Sequence, residues 1–164
     1  ALGGLIAVCP ASVTVVNRTQ DKAQALIERH YAWANMHGVA LVARGLDDML
    51  APPDISEKEV DPAFGLVVNA TSASLGGQAL ALPWGKIAPD AMVYDMMYGA
   101  AAQAFLQPAQ AAGLRTRDGL GMLVEQASVA FKLWRGVAPR TAPVLTELLR
   151  LVHAEQAAEQ AAQG

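Results

Sequence analysis

The sequence predicts an α/β fold, a three-layer sandwich around a mainly parallel sheet of about five strands, and three features carry that reading. Apolar runs rich in β-branched residues alternate with helical periods along the chain, joined by the short connections usual for βα units. The first run, Val13-Thr14-Val15-Val16, passes through a turn directly into a helix. Two later runs end in polar or small residues, at Asn69-Ala70-Thr71 and at Tyr94-Asp95-Met96.

Composition narrows the class before any motif does. The 164 residues suffice for one domain with a sizeable core, so 1–164 reads as one domain that includes C-terminal helices at 118–136 and 144–163. Hydrophobic residues make up 53% and charged residues 16%, which excludes a disordered chain. No apolar run is long enough to cross a bilayer and no targeting segment is visible, so the expectation is a soluble, cytoplasmic protein without a membrane partner. A net charge of -3 argues against a nucleic-acid surface but leaves room for a local phosphate site. The single cysteine, Cys9, has no partner for an internal disulfide and reads as a small core residue. The three histidines lack metal-ligand spacing, and no metal site is assigned.

In chain order, Ala1 to Val8 reads as the last turns of an apolar helix ending before Cys9-Pro10. Gly3-Gly4 has no strand before it and fits a helix-packing pair better than a phosphate turn. Val13 to Val16 is a strand of the kind covered on both faces. Thr19 caps the next helix, with Asp21 at its positive end. That helix, from Asp21 to about Met36, is expected to bury Ala23, Leu26, Ile27 and Tyr31 and to stop at His37-Gly38. A short strand, Val39 to Val42, leads into a Pro-broken connection from Arg44 to Pro62 with room for one helical turn. Phe64 to Thr71 is a strand running into the small-residue loop Ser72 to Gly77. Leu82 to Ala88 is a link, and Ala91 to Tyr98 the next strand. Ala101 to Ala112 is helical despite Pro108, Gly113 ends it, and Leu114 to Thr116 makes a last short strand. Asp118 opens a long helix with an expected buried stripe of Leu123, Ala127, Ala130, Phe131 and Trp134. Gln126 lies beside that stripe, where a buried amide needs a partner. Gly136 to Pro143 breaks the chain before a final helix from Val144 to about Gln163.

The chemistry concentrates at the end of the first strand. In a doubly wound dinucleotide-binding fold an acid at this point reads the ribose 2′-hydroxyl of NAD, whereas an Arg nearby accommodates the 2′-phosphate of NADP. Here stand Asn17-Arg18-Thr19 with Lys22 one turn on, and no acid. A guanidinium offers forked donors to phosphate, so the residues favour NADP. The alternative is an ordinary strand end with two solvated basic residues. The fold expected is thus Rossmann-like, lacking the usual first strand and its Gly-rich turn.

Asn17-Arg18-Thr19 with Lys22, Asn69-Ala70-Thr71-Ser72, Tyr94-Asp95-Met96-Met97-Tyr98, and Asp118-Gly119-Leu120-Gly121-Met122-Leu123 with Gln126 occur in order. In order and spacing they resemble the C-terminal, NADP-binding domain of shikimate dehydrogenases. The resemblance implies reversible reduction of 3-dehydroshikimate to shikimate by NADPH, a step of aromatic amino-acid biosynthesis. It implies that Asn17, Arg18, Thr19 and Lys22 hold the adenosine 2′-phosphate and that Thr71 lies along the cofactor. Met96, Gly119 and Met122 would line the nicotinamide, and Tyr98 and Gln126 would touch the substrate. Periodicity alone would instead make Met96 and Met122 core residues. The family's catalytic Lys and Asp belong to an N-terminal substrate domain with no counterpart in this sequence. No catalytic residue is therefore assigned, Lys58, Lys86 and Lys132 read as surface residues, and the chain alone is expected to be inactive. Two alternatives stand beside this reading: a non-catalytic binding or assembly module, and a related quinate/shikimate dehydrogenase. The oligomeric state is left open.

Overall fold

The computed structural model describes residues 1–51, 63–71, 80–81 and 84–162. The chain divides into two compact units, one of Ala1–Val60 with Ala81–Gly85 and one of Asp61–Leu80 with Lys86–Gly164. The loop expected at Ser72 to Gly77 lies outside the described residues, as does the connection from 52 to 62.

In the first unit, α1 (Leu2–Ala7), β1 (Ser12–Asn17), α2 (Gln20–Met36), β2 (Ala40–Gly45) and α3 (Leu46–Leu50) follow one another. β1 and β2 are parallel, in register from Ser12 opposite Ala40 to Asn17 opposite Gly45. Strand β2 therefore runs past the expected Val42, because pairing with all six residues of β1 keeps the chain extended to Gly45. Helix α2 covers this pair. Ile6, Ala34 and Val39 form the buried cluster, with Leu2, Val13 and Leu41 against it. The buried side of α2 runs through Ala23, Ile27, His30 and Ala34, with Ala23 and Ala34 fully buried. Tyr31, expected on that side, is 68% exposed. It sits eight residues beyond Ala23, about 80° around the helix, whereas His30 at seven is only about 20° away. The helix ends as expected: His37 is the C-cap and Gly38 takes φ +67°, where a side chain would be strained. Cys9, expected in the core, is exposed and has φ +51°, since the chain turns sharply between α1 and Pro10.

The second unit holds β3 (Phe64–Asn69), β4 (Ile87–Asp95), α4 (Ala100–Ala111), β5 (Arg115–Arg117), α5 (Leu120–Arg135) and α6 (Thr141–Ala162). A turn of 3-10 helix at Trp84–Lys86 precedes β4. The strands form a parallel sheet in the order β3-β4-β5, with Asn69 opposite Asp95 and Tyr94 opposite Arg117. β4 begins earlier than expected and stops at Asp95, leaving Met96 to Tyr98 in the turn beyond the strand. Side chains alternate along it, so Ala91, Val93 and Asp95 are buried on one face. Helix α4 packs on β4 and β5 and brings Ala102, Phe105, Leu106 and Ala109 into the core. Pro108 lies within α4 without ending it.

The parallel α/β, Rossmann-like architecture holds, but as two sheets rather than one. In the doubly wound strand order 3-2-1-4-5-6, the two halves meet through strand 1. Among the described strands, no hydrogen-bonded pairing joins β1-β2 to β3-β4-β5. Helix α5 also departs from expectation. It is anchored by buried Leu120 and Val124, whereas Leu123, Phe131 and Trp134 are 41%, 45% and 81% exposed. α5 packs against α6, and its periodicity marks an apolar face that is largely exposed beyond the first turns. α6 starts at Thr141, three residues before the expected Val144. No described helix is long and apolar enough to cross a membrane.

Phe105 is 2% exposed at the centre of the second unit. Phe105→Ala is expected to cost about 3–5 kcal/mol of stability through lost transfer energy and an unfilled cavity. Urea unfolding followed by circular dichroism should show a lower midpoint with an unchanged slope.

Candidate functional site

In the first unit the strand β1 delivers Asn17 at its carboxyl end, and the turn into α2 follows at once. The Asn17 side-chain oxygen accepts a hydrogen bond from the Thr19 N–H at 3.0 Å, folding the turn back on itself. Thr19 is the N-cap, in extended conformation, but its hydroxyl makes no capping bond. The expected cap is thus right in position, while the side chain closing the turn is Asn17. Asn17, Arg18, Thr19 and Lys22 are all exposed. Arg18 and Lys22 have no ion-pair partner among the described residues. Two unneutralised cations stand at the positive end of a 17-residue helix, an arrangement that attracts an anion.

In the second unit three turns gather at the carboxyl ends of parallel strands: Thr71 after β3, Met96 to Tyr98 after β4, and Asp118-Gly119 after β5. Hydrogen bonds tie them together. The Asn69 amide donates to Asp95 Oδ2 at 3.0 Å, and Asn69 Oδ1 accepts from the Thr71 N–H at 3.0 Å and hydroxyl at 2.8 Å. Asp95 Oδ1 accepts from the Met97 N–H at 2.8 Å, and the Met96 N–H donates to the Asn69 carbonyl at 3.0 Å. Asp118 accepts from the N–H groups of Gly99 and Leu120, each at 3.2 Å, and so locks the β4 turn to the start of α5.

Gly119 comes so close to this turn that a Cβ would run into the Met96 carbonyl oxygen, while its own N–H donates to the Met97 carbonyl at 2.8 Å. Only glycine fits there. Met96 and Met122 are half-buried, Thr71 is exposed, and Tyr98 is 44% exposed. Gln126, expected as a buried amide, is exposed, because the inward side of α5 runs through Leu120 and Val124. Further along the same helix, an apolar groove of about 440 Å³ lies between α5 and α6, lined by Leu123, Ala127, Phe131, Val144 and Leu148.

Asn69 and Asp95 did not enter the expected site. The signal was present as a polar residue closing each of two apolar strands, where a buried side chain must find a partner. They are 3% and 0% exposed.

Two outcomes follow from this geometry. Gly119→Ala should destabilise the protein by about 1–3 kcal/mol, since backbone rather than a movable side chain blocks the new methyl; thermal denaturation would show it. Burial raises the Tyr94 phenol above the ordinary value of 10.0, the Asp118 carboxylate raises it further, and Arg117 opposes both. A folded-state pKa above the unfolded one gives stability that is complete below pH 10.0 and lost as pH rises through the folded value. Tyr94→Phe is expected to reduce that alkaline loss, measured as unfolding midpoints on either side of pH 10.0.

Residues 119–149 match the family model of the shikimate 5′-dehydrogenase C-terminal domain. The chain is 45% identical to the NADP(+) shikimate dehydrogenase of Methylibium petroleiphilum, over 92% of this chain and 48% of that protein. It is 48% identical to the corresponding protein of Acidovorax ebreus, over 90% of this chain and 48% of that one. Among solved structures it is similar to shikimate 5-dehydrogenase from Thermus thermophilus in complex with NADP(H) and shikimate. That match has a TM-score of 0.57 at 29% identity, over 85% of this chain and 46% of the other. The chain therefore spans about half the length of the curated relatives it matches. Over nine-tenths of its own length, the chain is similar to about half of a shikimate dehydrogenase.

Proposed function

We propose that this chain is the cofactor-binding portion of an NADP-dependent shikimate dehydrogenase acting in the cytoplasm on shikimate and 3-dehydroshikimate. The observation that carries the cofactor is the pair of exposed cations, Arg18 and Lys22, beside Asn17 at the β1–α2 turn, with no acid at the strand end. The donor set fits a phosphate: planar forked donors from Arg18, a point charge from Lys22, and the Thr19 hydroxyl, which makes no capping bond. Asn17 shapes the turn through its bond to the Thr19 N–H and so holds these donors in place.

In the second unit, Gly119 fits the same reading, since the absence of a side chain lets α5 begin hard against the Met96 turn. Half-buried Met96 and Met122 offer soft, polarisable walls suited to one face of a nicotinamide ring, and Thr71 lies along the cofactor. When bound, NADP(H) supplies the hydride acceptor or donor. Tyr98 and Gln126, both exposed, contact the substrate in this reading, Tyr98 through a phenol that both donates and accepts hydrogen bonds.

The proton that accompanies hydride transfer needs a positioned acid–base group, and none is assigned among this chain's residues. That role falls to the remainder of the enzyme, which corresponds to the half of the relatives that this chain does not match. Positioned acid–base groups contribute roughly 10²–10⁴-fold, so the chain alone should give no measurable NADP reduction with shikimate beside the full-length enzyme. A comparable rate from the chain alone would overturn this division of labour. For the cofactor, Arg18→Ala in the full-length enzyme should weaken NADP far more than NAD, by about 1.5–3 kcal/mol. Equal weakening of both nucleotides, measured by titration, would refute the assignment.

A further inference from the structure

Resting on the cofactor reading above, we infer that Asp95 and Asn69 are positioning residues whose mutual hydrogen bond sets how the Thr71 turn and the Met96–Met97 turn face the bound nucleotide. Neither is offered as a cofactor contact. Their side chains are buried at the ends of neighbouring parallel strands, in register with each other. Each spends one end on the other and the other end on a turn: Asn69 on Thr71, Asp95 on the Met97 N–H. The backbone adds a direct link from the Met96 N–H to the Asn69 carbonyl. Thr71 and Met96 therefore do not move independently. A shift in either strand end is carried by rigid, buried, short-range bonds into both places assigned to the nucleotide.

The polarity of the network makes the inference testable. At position 69 an oxygen must face Thr71 and a donor must face position 95. At position 95 two acceptors are needed, one for the amide and one for the Met97 N–H. Asp95→Asn sets one N–H against another, whichever way the new amide is turned. Asn69→Asp sets two carboxylates 3.0 Å apart. The double exchange satisfies each of these named bonds again with one direction reversed: the carboxylate at 69 accepts from Thr71 and from the amide at 95, and the amide oxygen at 95 accepts from Met97.

The three variants are to be made in the full-length enzyme and compared by NADPH fluorescence titration, by melting temperature without nucleotide, and by kcat. Each single variant is expected to weaken NADPH binding about tenfold or more and to lower kcat about 10–100-fold, as small misplacements near reacting groups do. The double variant should recover to within about threefold of the parent on both. A role confined to stability would lower the melting temperature of the single variants and leave their NADPH dissociation constants unchanged, and that result overturns the inference. So does a double variant that fails to fold or binds NADPH no better than the weaker single variant. Should the single variants not fold, a folded double variant with near-parental affinity supports the inference, and one without it refutes it. A parent enzyme that binds no NADPH would instead overturn the functional reading itself.

Discussion

A buried carboxylate at the end of a strand is the constraint around which the second unit is arranged. Taking Asp95 out of water is costly, and hydrogen bonds offset that cost, among them those its two oxygens accept from the Asn69 amide and the Met97 N–H. Beyond its contribution to stability, the Asn69–Asp95 pair has a geometric consequence. What it supplies is direction. The carboxylate and amide have fixed geometry, so the turns they grip are held at defined positions, as packing of Val or Leu side chains at the same points would not do.

That same region is closed from the other side by α5. Asp118 grips Gly99 and Leu120 with its two oxygens, and Gly119 presses its backbone against Met96 and Met97. The β4 turn is thereby held by one acid from its own strand and by a second acid from the start of the next helix. The first unit works on a different principle. Its turn carries exposed cations at a helix N-terminus and only one side-chain bond within the turn itself. Charge, rather than a rigid cage, is what this turn presents to an anion, and an attraction of that kind falls as salt screens it.

The apolar side of α5 shows where pattern and burial part company. Leu123, Phe131 and Trp134 recur at helical spacing, yet Trp134 and Leu133 are about four-fifths exposed. α6 is the element that packs beside this length of the helix, leaving a groove between the two. Hydrophobic periodicity reports which side of a helix is meant to be covered, and the tertiary structure of the chain reports what covers it.

Read alone, the sequence determined the alternation of strands and helices, the stops at Gly38 and Gly113, and the location of the basic strand end at Arg18 and Lys22. These depend on local sterics and periodicity, which lie within a few residues of each other. It also carried the motifs that resemble those of shikimate dehydrogenases, because their spacing is a property of the chain itself. Tertiary structure alone decided that the strands fall into a two-stranded and a three-stranded sheet, that β4 stops at Asp95, and that Tyr31 and Gln126 face solvent while His30 turns inward. It alone paired Asn69 with Asp95 across 26 residues and set Gly119 against Met96. Hydrogen-bond partners and backbone approaches between distant segments leave no periodic trace, since each is fixed only when two strands come into register.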